Sequence, residues 1–275
     1  MVKYTLIFLI LLLGAACNGI KDDGSKEVKF DTFKKDTLYH LSSSVNSPYL
    51  EVSALAEIPV SCPNKVVLLQ MQKLISSIFI GYDTVSLAPS SILNQYVQKC
   101  VNDYKSLEKE YSLIKDTLTE GNIVPNSFNW KITMKGSVTF SENGIVCYQA
   151  ESQSNMERTQ HSVYIRSINI NVKEGRIIGL NDLFTDDYES ILTPCIIEKL
   201  KLQFRCDSLS SNGFFEEDEI CPSQNFSIDD KGITFIYNPG DIALNGLGII
   251  KVKLDYPELV IALKQNTIIR DFIKE

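Results

Sequence analysis

Apolar and polar positions follow two different periods along this chain. Over residues 93–114 the apolar side chains recur at steps of four and three, which is the spacing of one helix face. Residues 128–140 and 145–153 have strand character, and Asn143-Gly144 between them is a strong hairpin turn signal. The pattern therefore predicts a long helix followed by antiparallel strands.

The helical seam allows two interpretations. It consists of Leu93, Val97, Cys100, Tyr104, Leu107, Tyr111 and Ile114. Such a seam can belong to a coiled coil or partner-binding helix, or to an amphipathic helix that lies on a sheet. Three heptads with tyrosines in the seam favour the helix on a sheet.

The remaining elements occur in blocks rather than in strict alternation. A strand over 49–60 precedes a helix that opens at Pro63 and ends at Gly81, and a later helix opens at Thr193-Pro194. Short hairpin strands follow near residues 226–237. This order predicts the α+β class, with antiparallel sheets, helices packed on one face, and two subdomains.

The first residues have the pattern of a secretory leader. Lys3 is followed by an unbroken apolar run, Leu6–Leu13, and then by small residues up to Cys17. The run is too short to span a bilayer, which needs roughly twenty apolar residues. We therefore predict a signal peptide over 1–16; a membrane anchor or a buried N-terminal strand is the alternative.

Gly14-Ala15-Ala16-Cys17 resembles the lipobox of bacterial lipoproteins, although leucine is commoner where Gly14 stands. The resemblance implies that Cys17 carries fatty acids such as palmitate and begins the mature chain, with residues 17–30 as a lipidated flexible tether. Lys21-Asp22-Asp23 resembles a surface-export signal of Bacteroidetes lipoproteins, or is a plain linker. The expected location is the cell envelope, at the outer membrane, on either its periplasmic or its surface side.

Composition narrows the classes of function. Apolar residues make up 44% of the chain and charged residues 22%, as in ordinary globular proteins. The 27 Lys and Arg residues against 34 Asp and Glu give a net charge of −7, which argues against a nucleic-acid partner. With only 2 histidines, we expect no histidine-rich metal site. No cofactor is predicted.

Six cysteines follow Cys17, and an even number in an exported protein permits disulfides. Cys206 and Cys221 bracket a polar loop and are the favoured pair. Cys100 and Cys195 lie on apolar helix faces and are predicted to be buried thiols. The pairing among the whole set stays open: Cys62, Cys100, Cys147, Cys195, Cys206 and Cys221.

Catalytic motifs are missing from the sequence. It has no nucleophile elbow, Walker loop, zinc-protease motif, calcium loop or dinucleotide fingerprint. His161 could serve as a base or ligand, and the acidic run 216–219 could bind calcium. A structural histidine and a solvated loop are the favoured interpretations, so no catalytic or metal-binding residue is predicted.

The second half of the chain carries a series of short motifs. They are His161 with Asn169 and Asn171, Lys173-Glu174-Gly175-Arg176, Gly179-Leu180-Asn181-Asp182-Leu183-Phe184, Asn225-Phe226-Ser227-Ile228, Gly232-Ile233-Thr234-Phe235, Tyr237-Asn238-Pro239, Asp241-Ile242-Ala243, Gly248 and Tyr256-Pro257-Glu258-Leu259. In order and spacing they resemble the domain of unknown function 3298. That domain also ends lysozyme-sensing anti-sigma factors and accompanies some peptidoglycan deacetylases.

The resemblance implies a C-terminal domain over 158–275 and, before it, the family's usual companion α+β domain over 31–157. The motif residues themselves look structural, since Asp182 suits a helix cap and Asp230-Lys231-Gly232 a turn. The family's usual Pro-Tyr after Ile242-Ala243 is replaced here by Leu244-Asn245.

Two hypotheses of function follow. The resemblance implies a non-catalytic, lipid-anchored binding module whose ligand is a protein such as lysozyme or a cell-wall glycan. The alternative is an envelope hydrolase that acts on peptidoglycan or polysaccharide. A cleft that joins His161 to two carboxylates would favour the hydrolase, and a largest concavity without titratable groups would favour binding.

Overall fold

The structure is a computed structural model that describes residues 27–44, 47–81, 88–117, 128–156 and 162–273. Predictions that concern the leader, Cys17 and His161 therefore lie outside the described residues. The strands are β1 (Lys29–His40), β2 (Tyr49–Ser61), β3 (Trp130–Glu142), β4 (Ile145–Met156), β5 (Ser162–Asn171), β6 (Arg176–Ile177), β7 (Phe226–Ile228), β8 (Gly232–Tyr237) and β9 (Ile250–Asp255). The helices are α1 (Lys65–Ile80), α2 (Pro89–Lys105), α3 (Glu108–Thr117), α4 (Leu180–Leu183), α5 (Tyr188–Phe204) and α6 (Tyr256–Leu259).

The described strands form two sheets. Six strands pair in the order β1-β2-β3-β4-β5-β6, and three in the order β7-β8-β9. Every pairing is antiparallel except β2 with β3. A parallel pair needs a long crossover, which here contains α1, α2 and α3. The predicted α+β class with antiparallel-rich sheets is confirmed.

Strand β4 is shared between two hydrophobic cores. Val146, Tyr148 and Ala150 face the core beneath α1 and α2, whereas Ile145 and Cys147 face the core built by the small sheet and α5. This division follows the alternation of side chains along a strand. The predicted boundary at residues 157 and 158 falls between β4 and β5, which are paired neighbours, so one sheet joins the two predicted subdomains.

The helical seam lies on the sheet, as the favoured interpretation predicted. Helix α2 packs against β1 and β2, with Leu93, Val97 and Tyr104 buried. The prediction of a single long helix was wrong, however, because the chain turns at Ser106 and Leu107 and continues as α3. Buried Tyr111 carries the seam across this break.

Helix boundaries agree with the sequence in part. Helix α1 ends at Gly81 as predicted, with φ 99°, but it begins after Asn64, whose side chain accepts from the N–H groups of Val66 and Val67. Helix α5 begins at Tyr188, well before the predicted Thr193-Pro194, and contains Pro194. A proline suits only the first turn of a helix unless packing holds the rest, and buried Leu192 and Ile196 flank it here.

The six described cysteines are all free thiols, so the favoured Cys206–Cys221 disulfide is absent. The intervening segment is not a simple polar loop, because Leu209, Phe214 and Ile220 are buried in the core. Its ends are thereby fixed separately: Cys206 closes α5, and the Cys221 carbonyl accepts from Tyr237.

Of the two predicted buried thiols, Cys100 is buried and Cys195 only half-buried. Burial raises the pKa of Cys100. No helix in the described part of the chain combines the length and apolar character needed to cross a membrane.

Candidate functional site

A large concavity lies on the face of β1 and β2 that points away from the helices. It has a volume of about 940 Å³. We call it the β1–β2 trough, and it is lined by Lys34, Asp36, Thr37, Leu38, His40, Tyr49, Glu51, Val52 and Ser53. On β2, Tyr49, Glu51 and Ser53 alternate with buried residues and therefore point to the open face of the sheet. Their partners on β1, which are His40, Leu38 and Asp36, lie on the same face.

Charged side chains in the trough are arranged as neighbours of opposite sign. Lys34 Nζ lies 2.8 Å from Asp36 Oδ2, and Ser53 Oγ donates to Asp36 Oδ1 at 2.8 Å. Lys131 Nζ lies 3.2 Å from Glu51 Oε2. The hydrogen bond from Lys34, helped by that from Ser53, lowers the pKa of Asp36. Asp36 therefore stays ionised and is suited to accept hydrogen bonds rather than to donate a proton.

One end of the trough is apolar and aromatic. His40 Nδ1 lies 3.2 Å from the Ser47 carbonyl, which can only accept, so Nδ1 donates this hydrogen bond. The rings of His40 and Tyr49 are 6.1 Å apart. Tyr49 is 38% and Leu38 61% exposed, so both offer apolar surface beside the polar row. An open trough of this kind can bind an extended, hydroxyl-rich ligand.

A second concavity of about 590 Å³ lies along the outer edge of β5. We call it the β5 groove. Its lining includes apolar Ile78, Met134 and Ile168, with Tyr164 exposed by 50%. Asn225 and Asn238 also line it, but both amides are already bonded to the backbone of β5.

Two asparagines cover the β5 edge in place of a neighbouring strand. Asn238 accepts from the Ile165 N–H at 2.7 Å and donates to its carbonyl at 3.0 Å. Asn225 accepts from the Ser167 N–H at 2.7 Å and also donates to the Ile165 carbonyl at 2.8 Å. These amides satisfy backbone groups that would otherwise form an open sheet edge.

A third asparagine lies on β5 itself and bonds to the backbone of the small sheet. Buried Asn169 on β5 donates to the Phe226 carbonyl at 2.9 Å and accepts from the Ile228 N–H at 3.1 Å. We call Asn169, Asn225 and Asn238 the asparagine cap. Its hydrogen bonds hold the small sheet against β5, so three motif residues of the sequence have structural roles.

Other motif residues also serve the fold. Asp182 Oδ2 accepts from the Gly179 N–H at 2.8 Å and completes the predicted cap of α4. Asp229 accepts from the N–H groups of Lys231 and Gly232 and from Lys253 in the β7–β8 turn. Burial raises the pKa of Asp229, but the hydrogen bonds from Lys253 and the turn amides outweigh that effect and lower it.

Few of the candidate site residues named from the sequence lie close together in the structure. The acidic run forms a short 3₁₀ turn in which Glu217 pairs with Lys201 at 2.7 Å. In the described part of the chain, no three His, Cys, Asp or Glu side chains are grouped closely enough to hold a metal ion. The trough residues were missed, because β1 shows no clear alternation of apolar and polar positions.

The trough contains the titratable residues Lys34, Asp36, His40 and Glu51. It therefore does not meet the criterion that would favour binding, which is a concavity without titratable groups. His161, the candidate base of the hydrolase hypothesis, lies outside the described residues.

One family sequence model matches the chain, over residues 181–257, and the family is described as "Protein of unknown function (DUF3298)". Residues 181–257 form a DUF3298 domain. The match contains Asn225 and Asn238 of the asparagine cap, whereas Asn169 and the whole β1–β2 trough precede it. No curated protein matches the chain.

Two solved structures share the fold of this chain over most of its length. A DUF3298 family member from Bacteroides fragilis is 20% identical with a TM-score of 0.82, covering 91% of this chain and 99% of its own. A DUF3298 family protein from Pseudomonas aeruginosa is 13% identical with a TM-score of 0.57, covering 88% of this chain and 98% of its own. At these identities the likeness concerns the fold.

Proposed function

We propose that this chain is a lipid-anchored, non-catalytic binding module of the cell envelope, and that its ligand is a cell-wall glycan bound in the β1–β2 trough. The observation that carries the proposal is the open trough, which combines charged and apolar side chains and has exposed Tyr49 at one end. Its volume of about 940 Å³ is at the upper end of ligand sites, which suits several sugar rings.

The chemistry of the trough supports a glycan over a protein ligand. Sugar hydroxyls donate and accept hydrogen bonds, and the alternating Lys34, Asp36 and Glu51 side chains offer both partners. The apolar side of a sugar ring can pack on Tyr49. Protein interfaces, in contrast, have a core that is depleted of charged residues. A lysozyme-like protein ligand is kept as an outcome of the test.

Co-sedimentation with purified peptidoglycan tests the glycan ligand. We expect the protein to sediment with the sacculi, and Tyr49→Ala to weaken binding on the order of tenfold, or about 1.4 kcal/mol. Tyr164→Ala is the matched control, because Tyr164 is exposed in the β5 groove instead. Thermal unfolding of each variant establishes that the fold is retained.

Three results would contradict this assignment. Equal loss in both tyrosine variants would remove the trough as the site. Retention on immobilised lysozyme without binding to sacculi would show that the ligand is a protein rather than a glycan. Binding to neither would leave the proposed ligands without support.

The lipid anchor rests on the leader and on Gly14-Ala15-Ala16-Cys17. Two or more acyl chains give stable anchoring, since each buried CH₂ contributes ~0.8 kcal/mol. We expect radiolabelled palmitate to enter the protein and the protein to fractionate with the outer membrane, and Cys17→Ser to abolish labelling. Unlabelled protein in the cytosolic fraction would refute the anchor.

A hydrolase that acts on the same glycan is the second candidate, because Asp36, Glu51 and His40 all line the trough. A glycosidase needs a carboxyl group whose pKa is raised so that it can protonate the leaving oxygen. The pKa of Asp36 is lowered instead, with the Lys34 hydrogen bond as the main cause. New reducing ends from sacculi, lost in Glu51→Gln, would establish the hydrolase and overturn the binding module.

A further inference from the structure

The outer edge of β1 is not paired with any strand of the described residues. In the sheet order of the described residues, β1 pairs with β2 alone, over a strand of 12 residues. The opposite edge is treated differently, because β6 and the asparagine cap cover β5. An uncovered edge of this length presents backbone donors and acceptors to another strand.

The C-terminal end of β1 is held within the protein. Tyr39 Oη donates to Glu108 at 2.8 Å, and Lys105 Nζ lies 5.2 Å from the centre of the Tyr39 ring. Side chains from α2 and α3 therefore reach this end of the strand. The stretch over residues 30–36 lies at the other end, and it is the part of the edge on which a partner strand can align.

The charge pattern of this stretch is self-complementary in one register. Asp31, Phe33 and Lys35 lie opposite buried residues of β2 and so share the face that the helices cover. An antiparallel pair whose two-fold axis passes Phe33 places Phe33 opposite itself and Asp31 opposite Lys35 of the second copy. Opposite charges directly across two strands stabilise the pairing.

Neighbouring registers are disfavoured by the same residues. Axes at Lys34, Lys35 and Asp36 each place a charged residue opposite its own copy, and an axis at Thr32 places Lys29 opposite Lys35. Like charges directly opposite one another destabilise a strand pair. The charges on β1 thus oppose pairing about Thr32, Lys34, Lys35 or Asp36 and favour pairing about Phe33.

We propose that β1 pairs antiparallel with β1 of a second copy of this chain, with the two-fold axis at Phe33, so that two six-stranded sheets become one. This dimer is independent of the proposed glycan ligand. It would place two β1–β2 troughs on one continuous sheet face, and a polymeric ligand that reaches both would be bound with greater avidity.

Light scattering on the full chain, purified in detergent, tests the dimer. We expect a protein mass of two chains that shifts toward one chain, 31.0 kDa for the printed sequence, upon dilution. Lys35→Asp and Asp31→Lys should each weaken dimerisation about tenfold or more. The double variant D31K/K35D should restore it, because the two ion pairs then re-form with reversed sign.

Lys99→Asp is the matched control, since Lys99 is exposed on α2, and it should leave the dimer unchanged. Circular dichroism establishes that each variant is folded, and the double variant guards against a loss caused by misfolding. A single-chain mass up to millimolar concentration would overturn the proposal. So would a dimer that Lys35→Asp does not weaken, or a double variant that stays dissociated.

Discussion

The two edges of the six-stranded sheet differ in what covers their backbone groups. At β5, Asn225 and Asn238 satisfy the backbone of Ile165 and Ser167. At β1, the charged residues Asp31, Lys34, Lys35 and Asp36 lie along an edge that no described strand covers. An amide can imitate a strand permanently, whereas charges only select which strand can approach. The first edge is therefore built for stability and the second for selective contact.

Of the substitutions that test this comparison, Asn169→Ala should lower the free energy of unfolding the most. It leaves the Phe226 carbonyl and the Ile228 N–H without their buried partner, and each unsatisfied group costs ~1–3 kcal/mol. We expect the free energy of unfolding to fall by about 2–4 kcal/mol in urea titrations. Asn155→Ala, at an exposed position of β4, is the control. A loss no greater than that of the control would mean that the cap does not hold the sheets together.

Asn225→Ala should have the next largest effect, because Ser167 and Ile165 each lose a hydrogen bond at a half-buried edge. The expected loss of unfolding free energy is about 1–3 kcal/mol. Thr32→Ala on the β1 edge should stay within about 0.5 kcal/mol, as exposed substitutions usually do. Equal losses at both edges would remove the distinction drawn here.

Asp229→Asn should destabilise the turn of the small sheet in a pH-dependent way. The folded-state pKa of Asp229 is lowered, so its contribution is present above its ordinary value of 3.8 and is lost as the pH falls through the folded-state value. We expect a cost of about 1 kcal/mol at pH 7. Urea titrations at neutral and strongly acidic pH should show the two proteins converging in acid; a pH-independent difference would contradict the assignment.

Lys34→Ala and Asp36→Ala should have the smallest effect on stability. Both side chains are more than half exposed, and exposed ion pairs contribute about 0–1 kcal/mol. Thermal unfolding should therefore change little in either variant. A large loss would give this ion pair a role in holding β1 to β2 and would weaken its assignment to ligand contact.

Local signals predicted the parts of the fold that depend on neighbouring residues. Asn143 and Gly144 adopt positive φ values of 50° and 78° and join β3 to β4 as the sequence indicated. The Gly81 helix end and the Asp182 cap were predicted for the same reason. Each of these features is determined within a few residues, where propensity and turn chemistry act.

Features that depend on distant residues were not predicted. The bonds of Asn238 and Asn225 to Ile165 span 73 and 60 positions, so no local pattern marks them. Strand β1 was missed because an edge strand has little burial on either face, and its pattern lacks a period of two. The trough depends on the pairing of β1 with β2, and it could not be predicted without that strand.

The sharing of β4 between both cores has a practical consequence for anyone who expresses the C-terminal half alone. A fragment that starts at residue 158 would lose the strand that supplies Ile145 and Cys147 to its interior, and it would expose Ile168 and Ile170 to water. Such a fragment should aggregate. One that starts ahead of residue 128 retains the β3–β4 hairpin and gives the recombinant product a closed interior on at least one side.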